Sequence, residues 1–356
     1  MLLAHVTGEN FRQFERFELT AAPRLNLITG ANAAGKTTLL EALHCLGRGA
    51  SFRGNSPAEQ RGPSAEFWRL TAQSAHDAPA HIHLAWSDAG YRARTTVAAE
   101  ATLLDLVQAL PVQILEPGAH RLLEEGPGHR RRYLDWGMFH VEPRFFPAWR
   151  RYQRALRQRN RALKNAAPDA EVSSWDAELA QAGESVHAIR EQTLPRLHQR
   201  LEPLMQQLHQ TRDWSLDLAR GWNAELGLQE CLRAHLARDR RMGQTLEGPH
   251  RAELKLKLGG HAVKHRISRG QQKLLVAALL LAQSALIRTA TGKAPLLLVD
   301  DFPAELGAPF QARLLQALRD SGSQVFLTAI EARNIELDPR QDALFHVEHG
   351  VAKRIK

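Results

Sequence analysis

Two segments lying almost a chain length apart carry the residue types of a nucleoside-triphosphate site: Gly30-Ala31-Asn32-Ala33-Ala34-Gly35-Lys36-Thr37 and Leu296-Leu297-Leu298-Val299-Asp300-Asp301. The first has the spacing G-x-x-x-x-G-K-[ST]. In that pattern, the backbone amides of the loop and the start of the following helix face the phosphates of a nucleotide. Lys36 would neutralise the β- and γ-phosphates, and the Thr37 hydroxyl would ligate Mg²⁺. A glycine-containing turn can match this spacing by chance, but here a strand is expected before Gly30 and a helix from Lys36 to about Leu46, the context that a phosphate loop requires. Asp300 follows four apolar residues and emerges at the carboxyl end of a buried strand, where ligands of open α/β folds bind. It is the candidate Mg²⁺ ligand. Asp301 is placed to orient or deprotonate an attacking water. Acidic pairs after strands also serve as caps and solvated turns; the phosphate loop's need for a carboxylate favours the chemical reading.

For these segments to meet, both ends of the chain must join one sheet, and everything between becomes an insertion. Leu2 to Leu27 reads as strands. Alternating runs between Arg69 and Val97, such as His81-Ile82-His83-Leu84-Ala85-Trp86, predict an added antiparallel lobe. A short helix is expected over Leu103–Leu110, then a strand Val112–Leu115 that stops at Pro117-Gly118. From about Arg130 to Gln210 the spacing is helical, divided near Pro168 and Ser173-Ser174, with Ser174 as the expected cap of the second helix. Glu253–Leu258 and Val325–Ala329 read as strands, and the segment around Phe345 and Val347 is expected to close the sheet.

The chain has 356 residues, enough for two domains, and a formal net charge of +9 that favours anionic partners. The basic residues cluster at Arg130-Arg131-Arg132 and again at Arg144, Arg150, Arg151, Arg154, Arg157, Arg159, Arg161 and Lys164, mostly on one predicted helix. Part of such a cluster is ordinary solvated or salt-bridged surface. Cys45 and Cys231 are the only cysteines, which disfavours a disulfide framework or a thiolate metal centre and fits a reducing cytoplasm. Met1-Leu2-Leu3-Ala4-His5-Val6 reads as a strand rather than a signal peptide. Leu274–Ala282 is the longest apolar stretch and falls short of the roughly 20 residues of a membrane span; a soluble protein with a buried helix is expected.

Ile267-Ser268-Arg269-Gly270-Gln271-Gln272-Lys273, ahead of that helix, resembles the signature motif of ABC-type ATPases. A serine capping a helix would leave the same trace. With the phosphate loop and the acidic pair in order around it, the chain resembles from end to end the RecF family of bacterial recombination mediators, relatives of the SMC-type ATPases. The resemblance is carried by Phe11-Arg12, the phosphate loop, Leu39-Leu40-Glu41-Ala42, Arg130-Arg131 with Leu134-Asp135-Trp136-Gly137, Gly248-Pro249-His250-Arg251, Ser268-Arg269-Gly270-Gln271 and Asp300-Asp301-Phe302. It implies an α/β fold: an ABC-type P-loop ATPase head, with a mixed sheet, flanking helices and an antiparallel β lobe, formed by residues 1–128 and 211–356, and an inserted α-helical arm at 129–210. It further implies ATP-dependent homodimerisation, slow DNA-stimulated ATP hydrolysis with Mg²⁺, and binding of single- and double-stranded DNA at gap junctions. Recombinase loading in recombinational repair and the SOS response, with RecR and RecO as partners and no membrane, completes the implied function.

Residue by residue, the resemblance puts Thr38 with the phosphate loop and Arg12 beside the nucleotide, where a surface arginine at a strand end is the alternative. It makes Gln113 a link between Mg²⁺ or water and the arm, against a structural glutamine in a strand. Thr328 stands where ABC transporters often carry a histidine that contacts the γ-phosphate, and Ser268, Arg269, Gly270 and Gln271 would complete the site of a second subunit. Arg150, Arg151, Arg154, Arg157 and Arg161 are the candidate DNA contacts. The chain departs from the family at Ala33, where glycine is common, and at Ala304-Glu305-Leu306-Gly307, which replaces a Ser-x-Leu-Asp-like segment. Two other classes share some of the motifs. The ATP-binding subunit of a membrane transporter has no evident use for a long basic insertion, and a simple P-loop kinase leaves Ser268–Gln271 without a role.

Overall fold

The computed structural model describes residues 2–54, 56–75, 80–263, 267–302, 306–332 and 335–356. Strands β1 (Leu3–Phe11) and β2 (Phe14–Thr20) form a hairpin, β3 (Leu25–Thr29) runs into the phosphate loop, and α1 (Lys36–Arg48) leaves it. Strands β4 (Phe67–Ser74), β5 (His81–Ser87) and β6 (Gly90–Thr95) follow, then α2 (Leu103–Ala109) and β7 (Val112–Leu115). The middle of the chain is largely helical: α3 (Arg121–Glu124), α4 (Pro127–Val141), α5 (Phe145–Lys164), α6 (Asp169–Ser173) and α7 (Asp176–Leu204). Then come β8 (Trp214–Ala219), α8 (Leu228–Ala234), α9 (Leu236–Met242), β9 (Glu253–Leu258) and β10 (His261–Ala262). The chain closes with α10 (Arg269–Thr291), β11 (Leu296–Val299), α11 (Ala308–Asp320), β12 (Val325–Ala329), β13 (Ala343–Glu348) and β14 (Val351–Arg354).

The chain divides into two compact units, Met1–Ala119 with Ala277–Lys356, and His120–Val276. In the first, a six-stranded sheet has the order β14-β13-β3-β12-β11-β7, parallel except for β14. A five-stranded antiparallel sheet runs β2-β1-β4-β5-β6. Helix α1 lies in the core shared by the two sheets. Leu39, Leu40, Leu43 and Leu46 are fully buried and cluster with Phe11, Trp68 and Leu70 of the antiparallel sheet and with Ile28, Leu298, Phe326 and Phe345 of the mixed one. A helix apolar on most of its circumference is stable only when enclosed in this way. The single charge in its middle, Glu41, is buried as well and is neutralised by Arg12, at 2.6 Å.

The second unit is built on α5 and α7 and carries a three-stranded sheet, β10-β9-β8. Its interior is fastened by charge. The fully buried Arg159 donates to Asp176 at 2.8 Å, to Asp239 at 2.6 Å and to the Thr245 hydroxyl at 2.8 Å. Arg190 clasps both oxygens of Asp135, each at 2.8 Å, and donates to the Pro249 carbonyl. Buried charges persist when paired and hydrogen-bonded on several sides.

Three sequence expectations need correction. Compactness sets the boundaries after Ala119 and Val276, not at 129 and 210, because β9 pairs with β8 along its whole length and packs on α4, so the chain beyond Gln210 stays with the helices. Ser174 does not cap α7: its hydroxyl donates back to the Glu171 carbonyl. The apolar helix α10 continues past Ala282 to Thr291, long and apolar enough to cross a membrane, yet two-thirds of its most apolar window is buried within the protein. It is a core helix, and the unit boundary falls inside it.

Candidate nucleotide site and nucleic-acid face

Strand β3 is central in the mixed sheet, between β13 and β12, so the loop after it opens at the carboxyl edge of five parallel strands. The loop backbone is shaped by its glycines. Gly30, at φ 150°, has the Val347 carbonyl oxygen 2.3 Å from where a Cβ would stand, and Gly35, at φ 116°, has the Phe14 ring at 2.8 Å. Neither position admits a side chain. Ala33 adopts φ 64°, the left-handed conformation in which the family's glycine is free and alanine is strained. Ala31, Asn32 and Ala33 are exposed and Ala34 is half-buried. Lys36 reaches back over the loop and donates to the Gly30 and Ala31 carbonyls at 2.8 and 2.9 Å. Burial pulls its pKa below the usual lysine value, and the charges of Asp301 and Asp300 oppose that shift.

The two distant motifs meet at one oxygen. Asp300 Oδ1 accepts from the Thr37 hydroxyl at 2.9 Å and from the Thr328 hydroxyl at 2.9 Å. Thr328 also accepts from the Asp301 amide at 2.7 Å and thereby holds Asp301 in a left-handed conformation at φ 52°. This geometry follows from strand order: β11 lies between β7 and β12, the Asp300 amide bonds the Leu115 carbonyl, and the Phe302 amide bonds the Thr328 carbonyl. Asp300 is 5% exposed, whereas Asp301 faces solvent. Through one donated and one accepted hydrogen bond, the Thr328 hydroxyl positions both members of the acidic pair. A hydroxyl and a carboxylate oxygen 2.9 Å apart, next to a glycine loop and a lysine, form a donor set suited to Mg²⁺ and a triphosphate.

The other predicted residues of this unit are held by protein partners. The Arg12 guanidinium is taken by Glu41, through two hydrogen bonds, and by the Glu59 carbonyl, so it braces α1. Thr38 is buried and donates to Gln13 at 3.1 Å. Gln113 is interior to β7 and 3% exposed; its amide donates to Gln283 and its carbonyl accepts from Ser284, both on α10. Two residues went unrecognised in the sequence: Gln13, which lies against Gly35 and Thr38, and Glu116, which follows Leu115 at the carboxyl edge beside Asp300. Each directly adjoins an element end, and that was the available signal.

In the second unit, Ser268 and Gln271 form a reciprocal capping box at the start of α10, Ser268 amide to Gln271 Oε1 at 2.9 Å and Gln271 amide to Ser268 Oγ at 3.2 Å. Ser268, Arg269 and Gln271 are exposed, Gly270 half-buried, and Arg269 pairs with Glu124 at 3.3 Å. Ala304 and Glu305 lie outside the described residues.

Of the basic clusters, Arg130 and Arg131 are structural. Arg130 pairs with Glu253 at 2.7 Å and donates to three carbonyls, and Arg131 donates to the Ala252 carbonyl. On α5, Arg159 is buried and Arg151 is paired with Glu178 at 2.9 Å. Arg150, Arg154, Arg157, Arg161 and Lys164 are all exposed. Their spacing of four, three, four and three residues places them in one stripe rather than over several faces.

Comparison with known proteins gives these features their context. A model of the AAA domain matches residues 5–99. The DNA replication and repair protein RecF of Thioalkalivibrio sulfidiphilus is 38% identical, with 99% of both chains covered. RecF of Pseudomonas aeruginosa strain LESB58 is also 38% identical over 98% of this chain and 97% of its own. In fold, a structure of the recombination mediator protein RecF-ATP in the RecFOR pathway superposes with a TM-score of 0.86 at 24% identity, over all of this chain and 98% of that one. An Smc head bound to the C-winged helix domain of ScpA gives 0.61 at 15% identity over 100% and 98%. The fold is thus that of an ABC-type ATPase head with an inserted, helix-rich arm, and the chain belongs to the RecF family of DNA replication and repair proteins.

Proposed function

We propose that this chain is an ATP-controlled DNA clamp of recombinational repair, which binds ATP and Mg²⁺ in its first unit, dimerises on the nucleotide and engages DNA through its second. The observation that carries this reading is the convergence of Thr37, Asp300 and Thr328 on one carboxylate oxygen beside the phosphate loop. The loop amides and Lys36 would hold the triphosphate, exchanging the Gly30 and Ala31 carbonyls for phosphate oxygens. Thr37 and Asp300 would hold Mg²⁺, which supplies charge neutralisation to the phosphates. Asp301, exposed and fixed by Thr328, would orient the attacking water.

In the second unit, Ser268 stands exposed at the start of α10 beside the half-buried Gly270. A second copy completes the arrangement, each phosphate loop facing its partner's Ser268–Gln271. Turnover is then slow, because the site forms only in the dimer. The α5 stripe supports DNA binding through phosphate neutralisation rather than base reading. Loading of recombinase at single-strand to double-strand junctions, in concert with RecR and RecO, is the role that the family resemblance implies. The test is binding of a gapped duplex measured with and without ATP: ATP-dependent tightening that falls steeply with salt supports the reading, and a flat salt response rejects it.

A further inference from the structure

Beside the α5 stripe lie side chains that phosphate binding does not call for. Phe146 and Trp149, one turn apart and only half-buried, present rings 6.4 Å between centroids and within 14° of parallel. Phe139 of α4 braces Phe146 edge-on at 5.5 Å, and the Arg150 guanidinium lies over the Phe146 ring at 5.7 Å. Together they edge an open groove of about 410 Å³ lined by Phe146, Trp149, Arg150, Gln153, Arg154 and Arg157. Arg150, Arg154 and Arg157 are exposed, and among the described residues none has an ion-pair partner.

A row of exposed cations with aligned aromatic faces along it is not what a duplex needs. Duplex phosphates are met by charge alone, and paired bases offer edges to the grooves rather than faces. Unpaired nucleotides offer both a backbone charge at regular intervals and a π-face on every base. From Arg150 to Lys164 the stripe runs for about 20 Å at 1.5 Å per residue, a linear array that suits a polyanionic strand better than the scattered acids of a protein surface.

We propose that this groove is a binding site for single-stranded nucleic acid, with bases stacking on Trp149 and Phe146 and phosphates running along Arg150, Arg154 and Arg157. Because stacking does not depend on base identity, the site has little sequence preference. The proposal rests on the reading that α5 faces nucleic acid, and it adds that this face distinguishes an unpaired strand from a duplex. One unit of the molecule then carries the means to sense the open side of a junction.

The test uses the full chain with a labelled oligothymidylate and a blunt duplex of equal length, at one salt concentration, with melting curves to confirm that each variant is folded. Trp149→Ala and Phe146→Ala should each weaken oligothymidylate binding about tenfold while leaving duplex affinity within about twofold. Trp149→Phe should retain most of the binding but lose the tryptophan quenching that the oligonucleotide causes in the parent. Arg154→Glu with Arg157→Glu should weaken both probes. If Trp149→Ala and Phe146→Ala bind oligothymidylate like the parent, the stacking site is wrong even where the charge reversal still weakens the duplex. If the charge reversal leaves both probes unaffected, the nucleic-acid reading of α5 itself fails. Competition by polyglutamate as strong as that by oligothymidylate would assign the groove to an acidic protein segment and overturn the proposal.

Discussion

The Thr328 hydroxyl stands between the two acids of the candidate site, donating to Asp300 and accepting from the Asp301 amide. Replacing it with valine keeps the shape but removes the partner of the half-buried Asp301 amide, which costs on the order of 1 kcal/mol and frees Asp301 from its left-handed position. Thr328→Val is therefore expected to slow ATP turnover about tenfold while ATP affinity stays within about twofold, and Thr328→Ser to restore the rate; unchanged turnover in Thr328→Val would remove it from the positioning role. At Ala33, φ 64° carries strain of about 1 kcal/mol that glycine would not. Ala33→Gly should hold ATP at least as tightly and raise the melting temperature in the presence of ATP, measured by calorimetry. The phosphate loop and acidic pair were legible in the sequence because each is a contiguous pattern at an element end. The hydrogen-bond partners of Arg12, Gln113 and Thr328 were not, because they depend on which strands and helices become neighbours: Glu41 beside Arg12, α10 beside Gln113, β11 beside β12.

Among the elements, α5 has two distinct faces, a basic stripe in solvent and a buried side. Its inner face is fixed by Arg159, whose partners come from α7, α9 and the segment at Thr245. Arg159→Met strands two buried carboxylates, and a loss of about 3–5 kcal/mol is expected, read as a large fall in the denaturant midpoint of the second unit. Nearby, Tyr152 donates to His250 Nδ1 while His250 Nε2 donates to the Thr245 carbonyl, which fixes a neutral imidazole. Burial lowers the His250 pKa to about 4. Its folded value lies below the usual histidine value of 6.5, so the unfolded chain binds the extra proton first. Stability from this group is complete above about pH 6.5 and drains away as pH falls toward about 4; His250→Gln should flatten that part of the stability profile. The helical insertion itself was legible from periodicity. Its extent was not, because β8 and β9 pair across a gap filled by α8 and α9, and short alternating runs do not announce their partners.

At the scale of the whole molecule, the two chain ends form one sheet, and β3 could not be flanked by β12 and β13 in any other way. That much follows from the motifs in their order. Ser268 and Gln271 are exposed at the start of α10, which is what the proposed sharing of the signature with a second copy requires. The capping box they form at the head of α10 serves the helix and leaves the serine hydroxyl at the surface. The central claim, a nucleotide site shared between two copies, is tested most directly by mixing two inactive variants. Lys36→Met removes the phosphate contact and Ser268→Arg blocks the signature, so neither homodimer retains an intact site. A mixed dimer pairs the intact loop of one chain with the intact signature of the other. ATP turnover of an equimolar mixture should therefore recover to about a quarter of the parent rate at equal total protein, since half the dimers are mixed and each holds one working site of two. A mixture no more active than its separate components, or full activity in Ser268→Arg alone, would contradict the shared site.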